Sequence, residues 1–230
     1  MADTAAALAG LCHIQALDMM YETALVFPTH VYKMSATHLL ADVDACAVEY
    51  LCNPDAREGD GIGVVQSGNF FDDPRALEFC HYVAYRCWRI LEDQGYLMAG
   101  VNIHFSEMWA QEYGKYGYME PHTHAMGSVL TGFYFLEVPE NAPSLVLYDP
   151  RPGKVQANFG TRQSKAMLYA HDKAEMPVST GDLVVTNSWL QHGFSPNKAD
   201  KPFRLVHFNV VLQVAPPTPP VLGTDSVEVI

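Results

Sequence analysis

Two stretches in the first hundred residues carry apolar side chains at the spacing of one helical face. The first covers residues 35–51, and an Asn-Pro pair that stops a helix follows it. The second has Asp72 or Asp73 as its capping residue, Pro74 in its first turn and Gly95 at its end. The pattern therefore predicts two helices before the middle of the chain.

After Gly100 the helical spacing gives way to alternation of polar and apolar residues, first in VNIHFSEMWAQEYG. Short apolar runs rich in β-branched and aromatic residues follow, separated by glycine, proline and asparagine. These runs are SVLTGFYFLEV, SLVLYDP, AMLYAH, GDLVVTNSW and RLVHFNVVLQV. Strands at this spacing, preceded by two helices, predict an antiparallel sandwich or barrel that helices brace on one side.

We expect one domain over residues 1–214. It would consist of a helical N-terminal part, about 1–99, and a β core, about 100–214. The chain has 230 residues, a length at which all-β domains often form a single unit. Residues 215–230 open with four prolines in six positions and are predicted to form an extended tail.

The composition indicates which cellular compartment and which classes of binding partner are expected. The formal net charge of -12 disfavours nucleic acid and membrane partners, because phosphate backbones and anionic lipids repel an acidic chain. The N-terminus lacks the early positive charges of a signal peptide, and no apolar run approaches the length of about 18 residues that a membrane span needs. We therefore expect a cytoplasmic protein. Five cysteines without metal-ligand spacing are interpreted as buried free thiols.

Three histidines are candidate metal ligands. His122 and His124 stand one residue apart in EPHTH, and side chains at i and i+2 of a strand point to the same side. Imidazole is the commonest metal ligand, although such a pair also occurs without metal. His192, which ends SWLQH, adds a third candidate from a distant strand.

Arg204 opens the last apolar strand of an otherwise acidic chain. A guanidinium cannot deprotonate and binds carboxylates through two parallel hydrogen bonds, so Arg204 needs an anion. The residues alone leave two options, namely a protein carboxylate or the carboxylate of a bound ligand.

These motifs together resemble a known family. The stretches YGKYGYMEPHTH, TGFYFLEV, GDLVVTNSWLQHGFSPN and RLVHFNV are similar to the core of Fe(II)- and 2-oxoglutarate-dependent oxygenases, most of all to uncharacterised members with an H-x-H pair. The likeness covers roughly residues 25–212. The spacing from Tyr113 to His122 is also similar to that in prolyl 4-hydroxylases. The resemblance implies a mainly β fold, a double-stranded β-helix of jelly-roll or cupin type, with two or more supporting N-terminal helices.

The resemblance also implies roles for individual residues. His122 and His192 match the iron ligands, and Arg204 matches the residue that pairs with the C5 carboxylate of 2-oxoglutarate. Tyr113 and Tyr134 match strand positions that could hydrogen-bond this cosubstrate. The implied cofactors are Fe(II) and 2-oxoglutarate, and the implied reaction hydroxylates an unknown substrate while 2-oxoglutarate becomes succinate and carbon dioxide.

One position departs from the family pattern. Well-studied members carry aspartate or glutamate where this chain has His124. Three neutral imidazoles would leave the +2 charge of the metal uncompensated, which favours a dianionic chelator but also admits zinc. Asp149 or Glu120 could complete the ligand set in place of His124.

Three functions remain in competition. A 2-oxoglutarate-dependent hydroxylase would release carbon dioxide slowly without substrate, and Arg204→Ala should abolish that release. A three-histidine cupin dioxygenase without 2-oxoglutarate is the second, although Ser128 and Val129 stand where cupins have a glutamate. The third is a non-catalytic β-sandwich binding module. Arg204 favours the first function. Its partners would be a small-molecule cosubstrate and an unidentified substrate, and the sequence is also compatible with a homo-oligomer.

Overall fold

The computed structural model describes residues 26–53, 56–59, 61–124, 127–152 and 170–214. Chain contacts divide the protein into residues 1–30 and 31–230. Of the first unit, the described residues 26–30 are exposed and lie outside helices and strands. The predicted tail and most of the predicted AMLYAH strand lie outside the described residues, so both stay predictions.

Both predicted helices are present, and each begins with a short 3-10 turn. Thr37–Leu39 leads into α1 (Leu40–Leu51), and Pro74–Ala76 leads into α2 (Leu77–Asp93). The apolar face of each helix packs into one buried cluster with the large sheet. Cys46, Cys80 and Cys87 are buried free thiols, as expected, and Cys52 is an exposed one. No helix in the described part of the chain is long and apolar enough to cross a membrane.

Ten strands follow one another along the described chain. They are β1 (Val31–Ser35), β2 (Arg57–Glu58), β3 (Ile62–Gln66), β4 (Val101–His122), β5 (Leu130–Glu137), β6 (Leu145–Tyr148), β7 (Lys173–Met176), β8 (Asp182–Asn187), β9 (His192–Phe194) and β10 (Phe203–Val214).

The strands pair in the order β1-β8-β5-β10-β4-β9-β6-β7, with β3 and β2 added beside β4, and every pairing is antiparallel. The long strand β4 belongs to both halves of this curled sheet. It pairs with β10 from Val101 to Tyr113 and with β9 at Met119 and His122. The predicted fold, a double-stranded β-helix with supporting helices, is confirmed.

Two buried clusters lie on the two faces of the large sheet. On the helix side, Phe208 and Val206 of β10 pack with Tyr134 of β5. On the inner side, Leu205 of β10 and Phe133 of β5 pack with residues of β6 and β9 from the opposite half. Because successive residues of a strand alternate between faces, the face of each β10 residue decides whether it can reach the interior of the barrel.

Asp73, rather than Asp72, caps the second helical segment. Its Oδ1 accepts a hydrogen bond from the Arg75 backbone N–H (2.9 Å), and its Oδ2 pairs with the Arg75 guanidinium (2.7 Å). The hydrogen bonds from the Arg75 side chain are the largest cause that holds the pKa of Asp73 well below its ordinary value of 3.8. A carboxylate with a depressed pKa stabilises the fold above its ordinary pKa and loses that contribution as pH falls.

We therefore expect Asp73→Ala to lower the free energy of unfolding by about 1 kcal/mol at pH 7, the usual contribution of a helix cap. The difference from the unmodified protein should shrink when the pH falls below about 4. Urea unfolding at several pH values measures it, with the exposed neighbour Asp72→Ala as control. A pH-independent difference, or an equal loss in Asp72→Ala, would contradict the cap.

Candidate metal centre and cavity

The antiparallel pairing of β4 with β9 brings two of the three candidate histidines together. His122 is the last residue of β4, His192 is the first of β9, and the two are direct partners across the ladder. Their ring centroids lie 4.6 Å apart. Histidines 70 positions apart in the chain therefore meet at the boundary of two strands.

The loop after β4 adds the third histidine. The His124 backbone N–H donates to the Ser188 carbonyl (3.0 Å), which ties this loop to the β8–β9 connection. The Nε2 atoms of His122 and His124 lie 3.1 Å apart. One ligand atom from each of the three histidines lies within 4.8 Å of the others.

Hydrogen bonds to the backbone set the tautomers of His122 and His192. The Nδ1 of His122 lies 2.8 Å from the Glu120 carbonyl oxygen, and the Nδ1 of His192 lies 2.9 Å from that of Leu190. A carbonyl only accepts, so each Nδ1 carries the proton and each Nε2 keeps its lone pair. The Nε2 of His192 is buried and has no hydrogen-bond partner among the described residues.

The three rings fit a divalent metal ion. Nitrogen ligands about 2.1 Å from a metal and at right angles to each other stand about 3.0 Å apart, close to the 3.1 Å between His122 and His124. Burial, followed by the nearby charge of His122, lowers the pKa of His192 to about 3. A neutral imidazole at neutral pH offers the lone pair that a metal requires.

The tautomer of His124 depends on Asn209. Its Nδ1 lies 3.2 Å from Asn209 Nδ2, which also donates to Glu107 Oε2 (2.8 Å), whereas Asn209 Oδ1 is buried without a partner. A half-turn of the amide would give His124 Nδ1–H an acceptor and would break the bond to Glu107. Binding of a metal through His124 Nε2 therefore involves Asn209, a neighbour that the sequence did not indicate.

A cavity of about 410 Å³ lies beside this histidine group and is lined by two of its members, His122 and His124. Its rim is exposed at Glu120 and Thr123, and its inner end is buried at Gln111, Tyr113 and His207. Among the described lining residues Glu120 is the single carboxylate, and neither lysine nor arginine is present. The described residues that line the cavity are Trp109, Gln111, Tyr113, Met119, Glu120, Pro121, His122, Thr123, His124, Phe133, Phe194 and His207.

Arg204 lies on the other face of β10 and does not reach the cavity. Its guanidinium is 2.6 Å from Glu137 Oε2 and 3.7 Å from Asp44 Oδ1 of α1. Of the two options open for Arg204, the structure has the protein carboxylate. It therefore gives no support to the role in cosubstrate binding that the family resemblance implied.

The two tyrosines predicted to bind the cosubstrate lie on opposite faces of the sheet. Tyr113 lines the cavity, where its hydroxyl donates to Gln111 Oε1 (3.2 Å). Tyr134 faces the helices, and its hydroxyl donates to the Ala36 carbonyl (2.9 Å). The neighbouring Phe133 takes the cavity position instead.

Of the two carboxylates considered as substitutes for His124, neither joins the histidine group. The Asp149 carboxylate pairs with Arg151 (2.6 Å). Glu120 contributes its backbone carbonyl to His122, and its side chain is at the exposed rim. The ligand set that the described residues bring together is the three histidines.

Comparisons with known proteins agree with this fold. A family model described as "Putative 2OG-Fe(II) oxygenase" matches residues 107–209, so the resemblance noted from the sequence is confirmed. A search of curated proteins gave no significant match.

Three solved structures illustrate the fold match. The epimerase SnoN of nogalamycin biosynthesis, solved with Fe3+, alpha ketoglutarate and nogalamycin RO, is 14% identical, with a TM-score of 0.54 and 82% of each chain covered. HygX from Streptomyces hygroscopicus, solved with nickel and 2-oxoglutarate, is 14% identical, with a TM-score of 0.52, and 82% of this chain and 87% of HygX are covered. A Pseudomonas putida prolyl-4-hydroxylase is 13% identical, with a TM-score of 0.54 and coverage of 80% and 93%.

Proposed function

We propose that this protein is a non-haem Fe(II)- and 2-oxoglutarate-dependent oxygenase that hydroxylates an unidentified substrate. The grouping of one ligand atom each from His122, His124 and His192, beside a cavity that His122 and His124 line, carries this proposal. The match of the β core to the oxygenase family supports it. So does the binding of metal and 2-oxoglutarate by HygX, which has the same fold.

The three histidines would hold the iron, and the chain orients two of them through the backbone carbonyls of Glu120 and Leu190. Such bonds fix the ring planes and raise the basicity of the ligands. When bound together, Fe(II), 2-oxoglutarate and dioxygen supply an oxidant for a C–H bond, while 2-oxoglutarate is converted to succinate and carbon dioxide.

The surrounding side chains separate the reacting end of the cavity from bulk water. Phe133 and Phe194 pack edge-to-face (ring centroids 5.5 Å), and Phe133 also contacts the His192 ring (5.0 Å). Water is thereby excluded from the inner side of the metal position. The substrate would enter over the exposed rim, where the Glu120 carboxylate favours neutral or cationic groups over anionic ones.

One observation favours a second candidate. Because no lysine or arginine is among the described lining residues, a three-histidine dioxygenase that works without 2-oxoglutarate also suits the site. The two candidates differ in whether the consumption of dioxygen requires 2-oxoglutarate and produces succinate.

The test is oxygen uptake by protein that has been stripped of metal and reloaded with Fe(II) under anaerobic conditions. We expect slow, 2-oxoglutarate-dependent uptake with one succinate formed per dioxygen, and no uptake after chelation of the metal. Uptake that is independent of 2-oxoglutarate would favour the second candidate, and no uptake with Fe(II) bound would favour a binding module. Hydroxylation itself requires product analysis, since the fold match SnoN is described as an epimerase.

The domain organisation remains part of this proposal. We propose one oxygenase domain over residues 1–214, with the tail outside it. The experiment is limited proteolysis, which should remove the residues after 214 and leave the oxygenase activity intact.

A further inference from the structure

Two polar atoms at the inner part of the cavity are buried without a hydrogen-bond partner among the described residues. They are Trp109 Nε1 and His207 Nε2. The two residues are direct partners across the β4–β10 ladder, their ring centroids lie 5.0 Å apart, and both line the cavity. Trp109 Nε1–H always donates, and His207 Nε2 donates in the tautomer that carries the proton on this atom. A buried polar atom without a partner is costly, and native structures rarely keep one unless a ligand or water occupies the position.

His207 connects this pair to the histidine group. Its ring is 4.5 Å from that of His124, between centroids, and Trp109, His207 and His124 line the same cavity. A 2-oxo acid that chelated a metal at the histidines through its carboxylate and oxo group would have room for its remaining carbons in the cavity that Trp109 and His207 also line. The far end of such a ligand would then come to Trp109 and His207.

The described residues that line the cavity include no positively charged side chain that could bind the far end of the 2-oxo acid. Arg204, which the sequence suggested for this purpose, is bound to Glu137 (2.6 Å) on the opposite face of β10. A carboxylate at this depth would depend on neutral donors, and burial of an anion without a cation is expensive. An uncharged hydrogen-bond acceptor avoids that expense.

We propose that Trp109 and His207 bind the far end of the cosubstrate by hydrogen bonds, so that the site accepts 2-oxo acids with an uncharged acceptor there as well as 2-oxoglutarate. This inference rests on the proposed function. It deepens that proposal, because it assigns the binding of the cosubstrate's far end to neutral hydrogen-bond donors and not to a positively charged side chain.

The test compares three 2-oxo acids of equal chain length on protein loaded with Fe(II) under anaerobic conditions, by calorimetric titration. The ligands are 2-oxoglutarate, its 5-methyl ester, and 2-oxopentanoate, which has no acceptor at its far end. The ester should bind within about tenfold of 2-oxoglutarate. The pentanoate should bind at least about tenfold more weakly than the ester, because it leaves the buried donors unpaired.

Variants assign the effect to residues. Trp109→Phe should weaken the binding of 2-oxoglutarate and of the ester by about 5- to 30-fold, the range for one lost hydrogen bond in a buried site, and should not weaken the binding of 2-oxopentanoate. Trp88→Phe, on α2 outside the cavity, is the matched control. Arg204→Gln should leave the binding of all three ligands unchanged.

Four results would overturn the inference and leave the oxygenase proposal intact. Two concern charge: the ester binds more than about 100-fold more weakly than 2-oxoglutarate, or Arg204→Gln reduces the affinity for 2-oxoglutarate at least tenfold. Two concern Trp109: Trp109→Phe has no effect on binding, or it reduces the affinity for all three ligands equally. The first two would indicate that a cation recognises the carboxylate. If none of the ligands binds to the metal-loaded unmodified protein, the proposed cosubstrate is wrong and this inference falls with it.

Discussion

His192→Ala is expected to reduce the affinity for Fe(II) by more than about 100-fold and to abolish 2-oxoglutarate-dependent oxygen uptake. Changes to groups that merely orient a ligand lower metal affinity by about 10- to 100-fold, and removal of the ligand itself exceeds that range. His192 is fully buried, its Nδ1–H is bound to the Leu190 carbonyl, and its Nε2 has no partner among the described residues. The substitution therefore removes a nitrogen that is already directed at the proposed metal position.

Metal content per chain after reloading and desalting gives the measurement, and oxygen uptake gives the second readout. His81→Ala removes an exposed histidine of α2 and should leave both unchanged. A comparison of melting temperatures without and with Fe(II) separates loss of binding from loss of folding, since metal raises the stability only of protein that binds it. Full metal content in a folded His192→Ala protein would contradict the three-histidine site.

The histidine group could be predicted from the sequence because local geometry fixes most of it. The spacing of His122 and His124 indicated a shared site, although β4 ends at His122 and a backbone hydrogen bond to Ser188 positions His124 in the following loop. His192 opens the short strand β9. The structure adds the direct pairing of His122 with His192, which no pattern in the chain specifies. It also adds Asn209, a polar residue between two apolar ones on β10, and Gln111, which lies two residues before the predicted site residue Tyr113 on β4 and could have been found by strand alternation from it.

Arg204 and Tyr134 could not be assigned in this way, because their strands are buried on both faces. Seven of the eight residues of β5 are buried, so hydrophobicity does not show which of them face the cavity. In β10 the register against β5 shifts between Arg204 and Leu205. The shift places the additional residue, Leu136, in β5, whereas β10 keeps its alternation, with Phe203 and Leu205 on the inner side and Val206 and Phe208 on the helix side. The resemblance to a family motif does not specify which of these two faces Arg204 takes.

The two faces of β10 have different surroundings, and Arg204, predicted to bind the cosubstrate, forms an ion pair on the helix side. The helix side joins Arg204 to Glu137 and to Asp44 of α1, which links the sheet to the helical layer. The cavity side keeps uncharged donors, with Trp109 and His207 at its inner part. Stability is therefore expected to depend on the helix side, and ligand selection on the cavity side.

Gly132→Ala is expected to lower the free energy of unfolding by about 3 kcal/mol, at the upper end of the usual range for overpacking in a core. Gly132 of β5 is the direct ladder partner of Phe208 on β10. A Cβ at position 132 would lie 2.1 Å from Phe208 Cζ. The Phe208 ring is fully buried between Phe79 and Phe105, with centroids 6.4 Å and 5.9 Å away, so it has no room to withdraw.

Denaturant unfolding of three variants tests this contact. Gly68→Ala is the control, because a Cβ there meets nothing within 4 Å, and its effect should stay within about 0.5 kcal/mol. Phe208→Leu in the Gly132→Ala background should recover part of the loss, since a smaller side chain relieves the overlap that the alanine creates. Since Gly132 faces the helices and Phe133 faces the cavity, the folded Gly132→Ala protein should still bind Fe(II). Loss of Fe(II) binding with unchanged stability would mean that the two faces of β5 are assigned the wrong way round.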